Sequence, residues 1–415
     1  MSSDELNDKL PSESYCPLPW SHLYIDPVGA PTTCCMGDPM PSQDELGVTI
    51  KAGQRRAIDR HLRSPRMRGV REDMLAGRRP AVCAACWKAE DRRGQSYREQ
   101  ALRMSIPGIT GLSADAPAEI SFIDLRLGNF CNLKCRMCVP YSSKTMIPEY
   151  RELQDANDDF WEDLANLRWF ESDVFWEDLA AHSRALTRLH LAGGEPLLIK
   201  KSWDYLRRLI DSGRAEHIDL AYNTNLTAIP KWAAEIWSAF RSVHLFISVD
   251  GIRRINEFIR HPIDSDTFER NLRRVEEDPA SLSVSSASIH TTAQIYNVFS
   301  LPDFFRELRA FRFISRYPQI GLVTHPEAFD IRVLPASLKA EAAASLEAYL
   351  NEPEATDGSH DAAGFAAQVM GLVEHMLSAD HSDRLPDFRR MNEVFDRNRD
   401  QRASDVVPQL ARVLS

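Results

Sequence analysis

Three cysteines lie close together in one stretch of the chain and could bind a metal cluster. Cys131, Cys135 and Cys138 are separated by three and then by two residues, in the run Cys-Asn-Leu-Lys-Cys-Arg-Met-Cys. Three such thiolates on one loop can bind three irons of a single [4Fe–4S] cube, because cysteine is the usual ligand of these clusters. The fourth iron then stays open, and an open metal position is typical of catalytic sites. Three reduced thiols on a surface loop, or part of a zinc knuckle, are the alternatives.

The other five of the eight cysteines also fall in the first third of the chain and predict a second thiolate site. Cys16 begins the run Cys-Pro-Leu-Pro-Trp, Cys34 and Cys35 follow a turn, and Cys83 and Cys86 form a CxxC pair. Neighbouring residues of an extended segment point in opposite directions, so only one of the adjacent pair is expected to bind metal. We favour Cys34, with Cys35 possible in its place. A structural zinc site with four cysteines is the alternative, which the spacing does not exclude.

Composition limits the class of protein around these sites. The 415 residues are 43% hydrophobic and 27% charged, with a net charge of −10. Such a charge argues against a general binder of nucleic acid or of anionic membranes. The first residues lack the positive and apolar regions of a signal peptide, and no apolar run approaches a membrane span. We therefore expect a cytoplasmic protein without nucleic-acid or membrane partners, in which grouped cysteines indicate metal rather than disulfides.

Alternating strand-like and helix-like segments begin near residue 119 and must position the first cysteine group. This alternation predicts an α/β fold with a parallel sheet, and six units would make a partial (β/α)6 TIM-like barrel. The chemical motifs follow strand ends, where active residues of such barrels lie. The predicted strands are 120–127, 186–192, 217–222, 243–249, 283–291 and 320–323.

Three domains are predicted from these patterns. Residues 1–112 form a cysteine-rich module, in which 55–78 is expected to be helical. Residues 113–335 form the barrel, with a helical insertion at 140–185. The C-terminal helical extension, 336–415, is expected to close the open barrel edge or to cover the site.

The first cysteine stretch resembles the Cx3Cx2C motif of the radical SAM superfamily, in which S-adenosylmethionine (SAM) binds the open iron of a [4Fe–4S] cluster. Gly193-Gly194-Glu195 resembles that superfamily's GGE motif. The resemblance implies that the two glycine backbones hold the SAM amine and that Glu195 accepts a charge-assisted hydrogen bond. Met137 occupies a position that is often aromatic in the family, and the side chain at this position lies on the adenine ring of SAM.

Two further segments extend the resemblance. Thr224-Asn225 aligns with a Thr-Asn-Gly segment, with Leu226 in place of the glycine, and makes Asn225 a candidate SAM contact. The run from Ser248 to Gly251 resembles a Ser-x-Asp-Gly strand end, followed by Arg260 at a family-like distance. By resemblance, Ser248 contacts the SAM ribose or carboxylate, and Arg260 binds the carboxylate; a surface helix charge is the alternative for Arg260.

The N-terminal module resembles the twitch or SPASM-type auxiliary modules of radical SAM enzymes. Shared features are the Cys-x-x-Pro-Trp start, a glycine turn and the CxxC-Trp end. Such modules usually follow the barrel, whereas this one precedes it, as in twitch-domain-containing radical SAM proteins. The resemblance implies an auxiliary [4Fe–4S] cluster held by Cys16, Cys34, Cys83 and Cys86.

The resemblance also implies a function. An electron from a ferredoxin or flavodoxin would reduce the cluster, and SAM cleavage would give a 5′-deoxyadenosyl radical that abstracts hydrogen from a substrate. We expect a peptide or protein substrate. A dehydrogenase or epimerase acting on a sugar or small metabolite, and a zinc- or cluster-stabilised binding protein without turnover, are the alternatives. No catalytic acid or base is assigned.

Overall fold

The structure, a computed structural model, describes residues 10–91, 96–104, 112–115, 119–353 and 359–414. Within these ranges, no helix has both the length and the apolar character needed to cross a membrane.

Eight strands in the described residues form one sheet. They are β1 (His22–Ile25), β2 (Pro31–Thr32), β3 (Phe122–Arg126), β4 (Arg188–Ala192), β5 (Asp219–Thr224), β6 (Ser242–Ser248), β7 (Ser286–Ala293) and β8 (Ile314–Leu322). Their order in the sheet is β2-β1-β3-β4-β5-β6-β7-β8. β1 pairs in parallel with β3, β3 with β4, β6 with β7 and β7 with β8, whereas β2 is antiparallel to β1. The fold is therefore α/β with a mostly parallel sheet.

Helices follow most of these strands. The α-helices of the described residues are α1 (Leu18–Ser21), α2 (Ala57–Leu62), α3 (Pro65–Leu75), α4 (Ala84–Asp91), α5 (Tyr97–Arg103), α6 (Ile147–Leu153), α7 (Asp158–Ala165), α8 (Asp173–Ala181), α9 (Lys200–Asp211), α10 (Ala233–Trp237), α11 (Arg253–Ile259), α12 (Ser265–Glu277), α13 (Leu301–Leu308), α14 (Ala336–Leu350), α15 (His360–Leu377), α16 (Leu385–Arg399), α17 (Ala403–Val406) and α18 (Ala411–Leu414).

All six predicted strands of the alternating region are present as β3 to β8. The largest difference between a predicted and an observed strand start is at β8, which begins at Ile314 rather than at residue 320. Closure of these strands into a partial barrel stays a prediction. The sequence did not predict that β1, from the cysteine-rich segment, would pair with β3 and extend the same sheet.

The predicted helix over 55–78 is wrong in one respect, because two helices, α2 and α3, occupy it. The break falls at Ser64-Pro65. The Ser64 side chain accepts a hydrogen bond from Met67 N, and Pro65 is the first residue of α3. A serine N-cap followed by proline is typical of a helix start. Proline is tolerated there because the first N–H groups of a helix have no partner within the helix.

Residue contacts divide the chain into two compact units, which are described separately. Unit 1 comprises Met1–Gly128, Leu167–Ala221 and Ala239–Arg241, and unit 2 comprises Asn129–Asn166, Tyr222–Ser238 and Ser242–Ser415. The three-domain division drawn from the sequence stays a prediction.

In unit 1, strands β1, β3 and β4 have one apolar and one polar face. The apolar face is buried to at least 99% and consists of Leu23, Ile25, Ile123, Leu125, Leu189 and Leu191. On the other face Tyr24, Asp124 and His190 lie side by side in register. Parallel strands covered on both faces are usually apolar throughout, so this polar row is a departure that sheet packing does not require.

In unit 2, the C-terminal helices complete an aromatic core. Phe388 and Phe395 of α16 are fully buried and pack against Phe329, while Tyr296 lies between Phe258 and Phe388. The C-terminal segment is thus part of the core of this unit.

Candidate functional site

The three-cysteine loop, residues 131–138, lies in unit 2 and is held by main-chain hydrogen bonds. Lys134 N donates to His261 O, and Arg136 N donates to Ile259 O, each over 2.7 Å. Within the loop, Cys138 N donates to Cys135 O over 2.9 Å, and Leu133 N points at Cys131 Sγ at 3.4 Å. The loop is therefore fixed against the end of α11 and the residues that follow it.

Arg260 lies beside the cysteines. It is only 7% exposed, so it is not a surface charge. Its Nη2 is 2.8 Å from Asp250 Oδ2, its Nη1 is 4.0 Å from Cys135 Sγ, and its guanidinium interacts electrostatically with the thiols of Cys131, Cys135 and Cys138. The charge of one buried arginine thus acts on all three thiols. A positive charge here suits a site that would hold thiolates together with an anionic ligand.

Asn225 also contacts the loop. Its Nδ2 donates to Asn132 Oδ1 over 3.0 Å and lies 3.9 Å from Cys131 Sγ. The following residue, Leu226, has a φ of +54° and is fully buried. Glycine is the usual residue in this left-handed conformation, so the backbone keeps a geometry typical of glycine although the side chain differs.

Ser248 ends β6 and is partly exposed. The backbone after it is tied down by Asn297, which is fully buried and donates from Nδ2 to Asp250 O over 2.9 Å. Met137 is partly exposed within the loop. Their predicted contacts with SAM stay predictions.

The GGE segment lies in unit 1, directly after β4. Gly193 has a φ of +78°, and a Cβ there would lie 2.7 Å from the carbonyl carbon of Arg126. Glycine is therefore required for two backbones to approach. Gly194 also has a positive φ, of +42°, and Glu195 is 1% exposed and accepts from Leu197 N through Oε1. Their predicted SAM contacts also stay predictions.

Burial favours the neutral form of two of the loop thiols. Burial, followed by the neighbouring Cys135, raises the pKa of Cys138 to about 12, and burial raises the pKa of Cys135. A bound metal ionises its thiol ligands. One buried and two half-buried thiols beside one arginine therefore fit a cationic iron cluster as ligands.

The second cysteine group lines one cavity in unit 1. The lining of this cavity includes Cys16, Cys34, Cys83 and Cys86, together with Trp87 and Arg98. Burial is the main cause that raises the pKa of Cys34 and of Cys83 to about 12. Four thiols around one cavity, two buried and two half-buried, have the donor chemistry of a metal-cluster site.

Cys35 does not line that cavity. Its thiol interacts instead with Tyr97, Asp124 and Arg126, and burial is the main cause that raises its pKa to about 11. The expectation that Cys34 and Cys35 lie in an extended segment is wrong, because β2 ends at Thr32 and Cys35 is in a turn. The two thiols nevertheless have different surroundings.

Among the described residues, no group of three or more His, Cys, Asp or Glu side chains has the arrangement expected around a single metal ion. In a cube each thiolate binds a different iron, so cube ligands are spaced differently from the ligands of one ion.

Two further residues, on β5 and β7, are a tyrosine and a histidine that pack against aromatic rings. Tyr222 is fully buried against Trp237, with ring centroids 5.7 Å apart. His290 is partly exposed and packs on Phe246 at 4.7 Å.

Sequence reasoning missed four charged residues around the loop, three of them buried and one, Asp396, half-buried. Arg136 and Glu149 pair with Asp396 and Arg399 of α16. The only sequence signal was the presence of Lys134 and Arg136 between the cysteines, and it named no partner because the partners lie about 250 residues away.

A comparison with known protein families finds a match for the middle part of the chain. Residues 125–278 match the family described as the Radical SAM superfamily. This stretch is therefore a radical SAM domain, and it contains the three-cysteine loop. None of the curated proteins compared with the chain matches it.

The chain is also similar to parts of several solved structures. One is anSMEcpe with bound AdoMet and a Cp18Cys peptide, at 19% identity over 49% of this chain and 50% of that one, with a TM-score of 0.32. Another is Streptococcus suis SuiB bound to its precursor peptide SuiA, at 16% identity over 55% and 50% of the two chains, with a TM-score of 0.31. The matched part thus spans about half the length of these structures.

Proposed function

We propose that the protein is a radical SAM enzyme that cleaves SAM reductively to a 5′-deoxyadenosyl radical, which removes hydrogen from a peptide or protein substrate. The observation that carries this proposal is the loop of Cys131, Cys135 and Cys138 inside the radical SAM domain, with Arg260 beside its thiols. The peptide or protein class rests on the resemblance of the N-terminal module to twitch and SPASM modules.

The three loop cysteines would hold a [4Fe–4S] cluster, which supplies one-electron chemistry when bound. Arg260 would bind the SAM carboxylate while Asp250 fixes its guanidinium from the other side. Asn225 would hold the loop near Cys131 through Asn132. The residues thus bind and orient SAM, and an external ferredoxin or flavodoxin would supply the electron.

The cysteines around the unit 1 cavity would hold an auxiliary [4Fe–4S] cluster. The arrangement of Cys16, Cys34, Cys83 and Cys86 around one space supports this assignment. Two cubes would contain about eight irons per chain, whereas little iron with one or two zinc ions would support the binding-protein alternative.

Anaerobic reconstitution followed by a deoxyadenosine assay tests the proposal. With dithionite and SAM, the wild type should release 5′-deoxyadenosine, and replacement of Cys131, Cys135 and Cys138 by alanine should abolish the release. Replacement of Cys83 and Cys86 by alanine should leave some cleavage, because that change spares the first loop. Equal release from the wild type and the loop variant would contradict the proposal.

A further inference from the structure

Two basic side chains inside the three-cysteine motif are linked to α16, one directly and one through a carboxylate of α6. Arg136 is fully buried, and its Nη2 donates to Asp396 Oδ1 over 2.6 Å and to Gln401 Oε1 over 3.0 Å. Its Nη1 lies 3.3 Å from Asn392 Oδ1, and its guanidinium lies 3.6 Å from the centre of the Phe258 ring. Three of the hydrogen-bonding partners of this guanidinium thus come from α16 or from the residues just after it, and the carbonyl of Phe258 is a further partner.

Lys134 reaches the same helix through one carboxylate. Its Nζ is 3.0 Å from Glu149 Oε1, and Arg399 binds both oxygens of Glu149, at 2.9 and 2.6 Å. The side chains of Glu149 and Arg399 are 2% and 0% exposed. A bidentate pair at this depth has little freedom to move, because separating it would leave a charge buried without a partner.

Cys135 lies between these two anchored residues. The backbone N–H groups of Lys134 and Arg136 are bonded to the carbonyls of His261 and Ile259, which flank Arg260. The side chains of Lys134 and Arg136 are therefore held by contacts that lead to α16. Their main chain is held by the segment that carries Arg260. The position of Cys135 Sγ relative to Arg260 therefore depends on residues about 260 positions further along the chain.

We propose that α16 and Gln401 position the three-cysteine loop, with Asp396 and Arg399 as the positioning residues for the cluster and for SAM. This inference rests on the proposed function, and it adds to that function a role for the C-terminal segment. Asp396 and Arg399 reach the loop through Arg136, Glu149 and Lys134. The charge of Arg399 also acts on the thiols of Cys135 and Cys138.

The same two helices offer a matched control. Arg397 of α16 pairs with Glu152 of α6, but their side chains are 56% and 40% exposed. This pair joins the same two helices as Arg399 and Glu149. It should contribute little to stability, because exposed ion pairs are weak. Arg397→Gln removes one charge from α16 at the surface, whereas Arg399→Gln and Asp396→Asn remove one beneath the loop.

Amide hydrogen exchange of the apoprotein tests the proposal without any bound group. Asp396→Asn keeps the side-chain volume and should raise the exchange rates at Lys134 and Arg136 about tenfold or more, because a charge-assisted hydrogen bond is lost. Arg399→Gln should do the same, and Arg397→Gln should change the rates less than about twofold. Should Arg399→Gln fail to fold, Asp396→Asn carries the test. Unchanged exchange at both amides in a folded Asp396→Asn variant would overturn the proposal.

Measurements on the reconstituted enzyme separate positioning from simple stability. In Asp396→Asn, the EPR signal of the reduced loop cluster with SAM should change, and the KM for SAM should rise more than kcat falls, at unchanged iron content. Asp396→Glu, which restores the charge, should recover part of the wild-type signal. A lower melting temperature with wild-type EPR and KM would also overturn the proposal. If the wild type releases no deoxyadenosine, the proposed function fails, while the exchange experiment still decides whether α16 holds the loop.

Discussion

The guanidinium of Arg260 contacts a thiol and a carboxylate, at 4.0 Å from Cys135 Sγ and 2.8 Å from Asp250 Oδ2. Asp250 is fully buried and also accepts from Thr292 N over 2.7 Å. The arginine therefore neutralises a buried carboxylate and at the same time faces the candidate cluster ligands.

Arg260→Gln should destabilise the protein by about 3–5 kcal/mol, because it leaves the buried Asp250 charge without its partner. Arg260→Lys keeps the positive charge and should lower the stability less. An ammonium group cannot contact Asp250 and Cys135 at the same time as a guanidinium does. Urea unfolding of the apoproteins measures both changes. A Gln variant as stable as the wild type would mean that the ion pair does not form.

The backbone geometry of the GGE segment can be tested with alanine. Gly193→Ala should destabilise the protein by about 2 kcal/mol or more, since its φ is +78° and the new Cβ would overlap the backbone at Arg126. Gly213 has a similar φ, +69°, with no atom within 4 Å of a Cβ, so Gly213→Ala should cost only about 1 kcal/mol. Equal destabilisation of the two variants in urea unfolding would argue against close packing at Gly193.

The buried histidine His61 predicts a loss of stability in mild acid. Burial, followed by the charge of Arg71, lowers the pKa of His61 to about 3, and its Nδ1 lies 2.8 Å from Ser42 Oγ. The unfolded chain takes up a proton below about pH 6.5 and the folded chain does not, so stability falls from there towards pH 3. At pH 5, His61 alone should lower the free energy of unfolding by about 2 kcal/mol.

Urea unfolding of the apoprotein at pH 7 and pH 5 measures this effect, with His61→Asn as the comparison. His22 contributes in the same direction, since burial also lowers its pKa, to about 4. The variant should therefore show a smaller, not an absent, dependence on pH. An identical dependence in wild type and variant would contradict the assignment to His61.

The two adjacent cysteines should behave differently. Cys34→Ser should remove about four irons per chain after reconstitution, because Cys34 faces the cavity shared with Cys16, Cys83 and Cys86. Cys35→Ser should keep them, since that thiol interacts with Tyr97 instead. Iron and sulfide analysis measures both. The reverse pattern would make Cys35 the ligand.

The sequence was a good guide wherever a pattern was local. The strands β3 to β7 follow apolar runs bounded by turn residues and were found within a few residues. The start of β8 was missed because the run from Ser315 to Gln319 includes polar residues and Pro318, a composition that argues against a strand.

Contacts between distant segments could not be predicted in the same way. Nothing near Arg136 in the sequence indicates Asp396 as its partner, because that pairing depends on how α16 packs 260 residues later. The left-handed backbone at Leu226 was equally hidden, since leucine rarely adopts that conformation and only the surrounding structure imposes it.

The most direct test of the central claim uses EPR on a variant with one cluster site. In a Cys83→Ala, Cys86→Ala background, the dithionite-reduced protein should keep the signal of the cluster at Cys131, Cys135 and Cys138. Addition of SAM should change that signal, because SAM would bind the open iron. A spectrum that is the same with and without SAM would contradict the account.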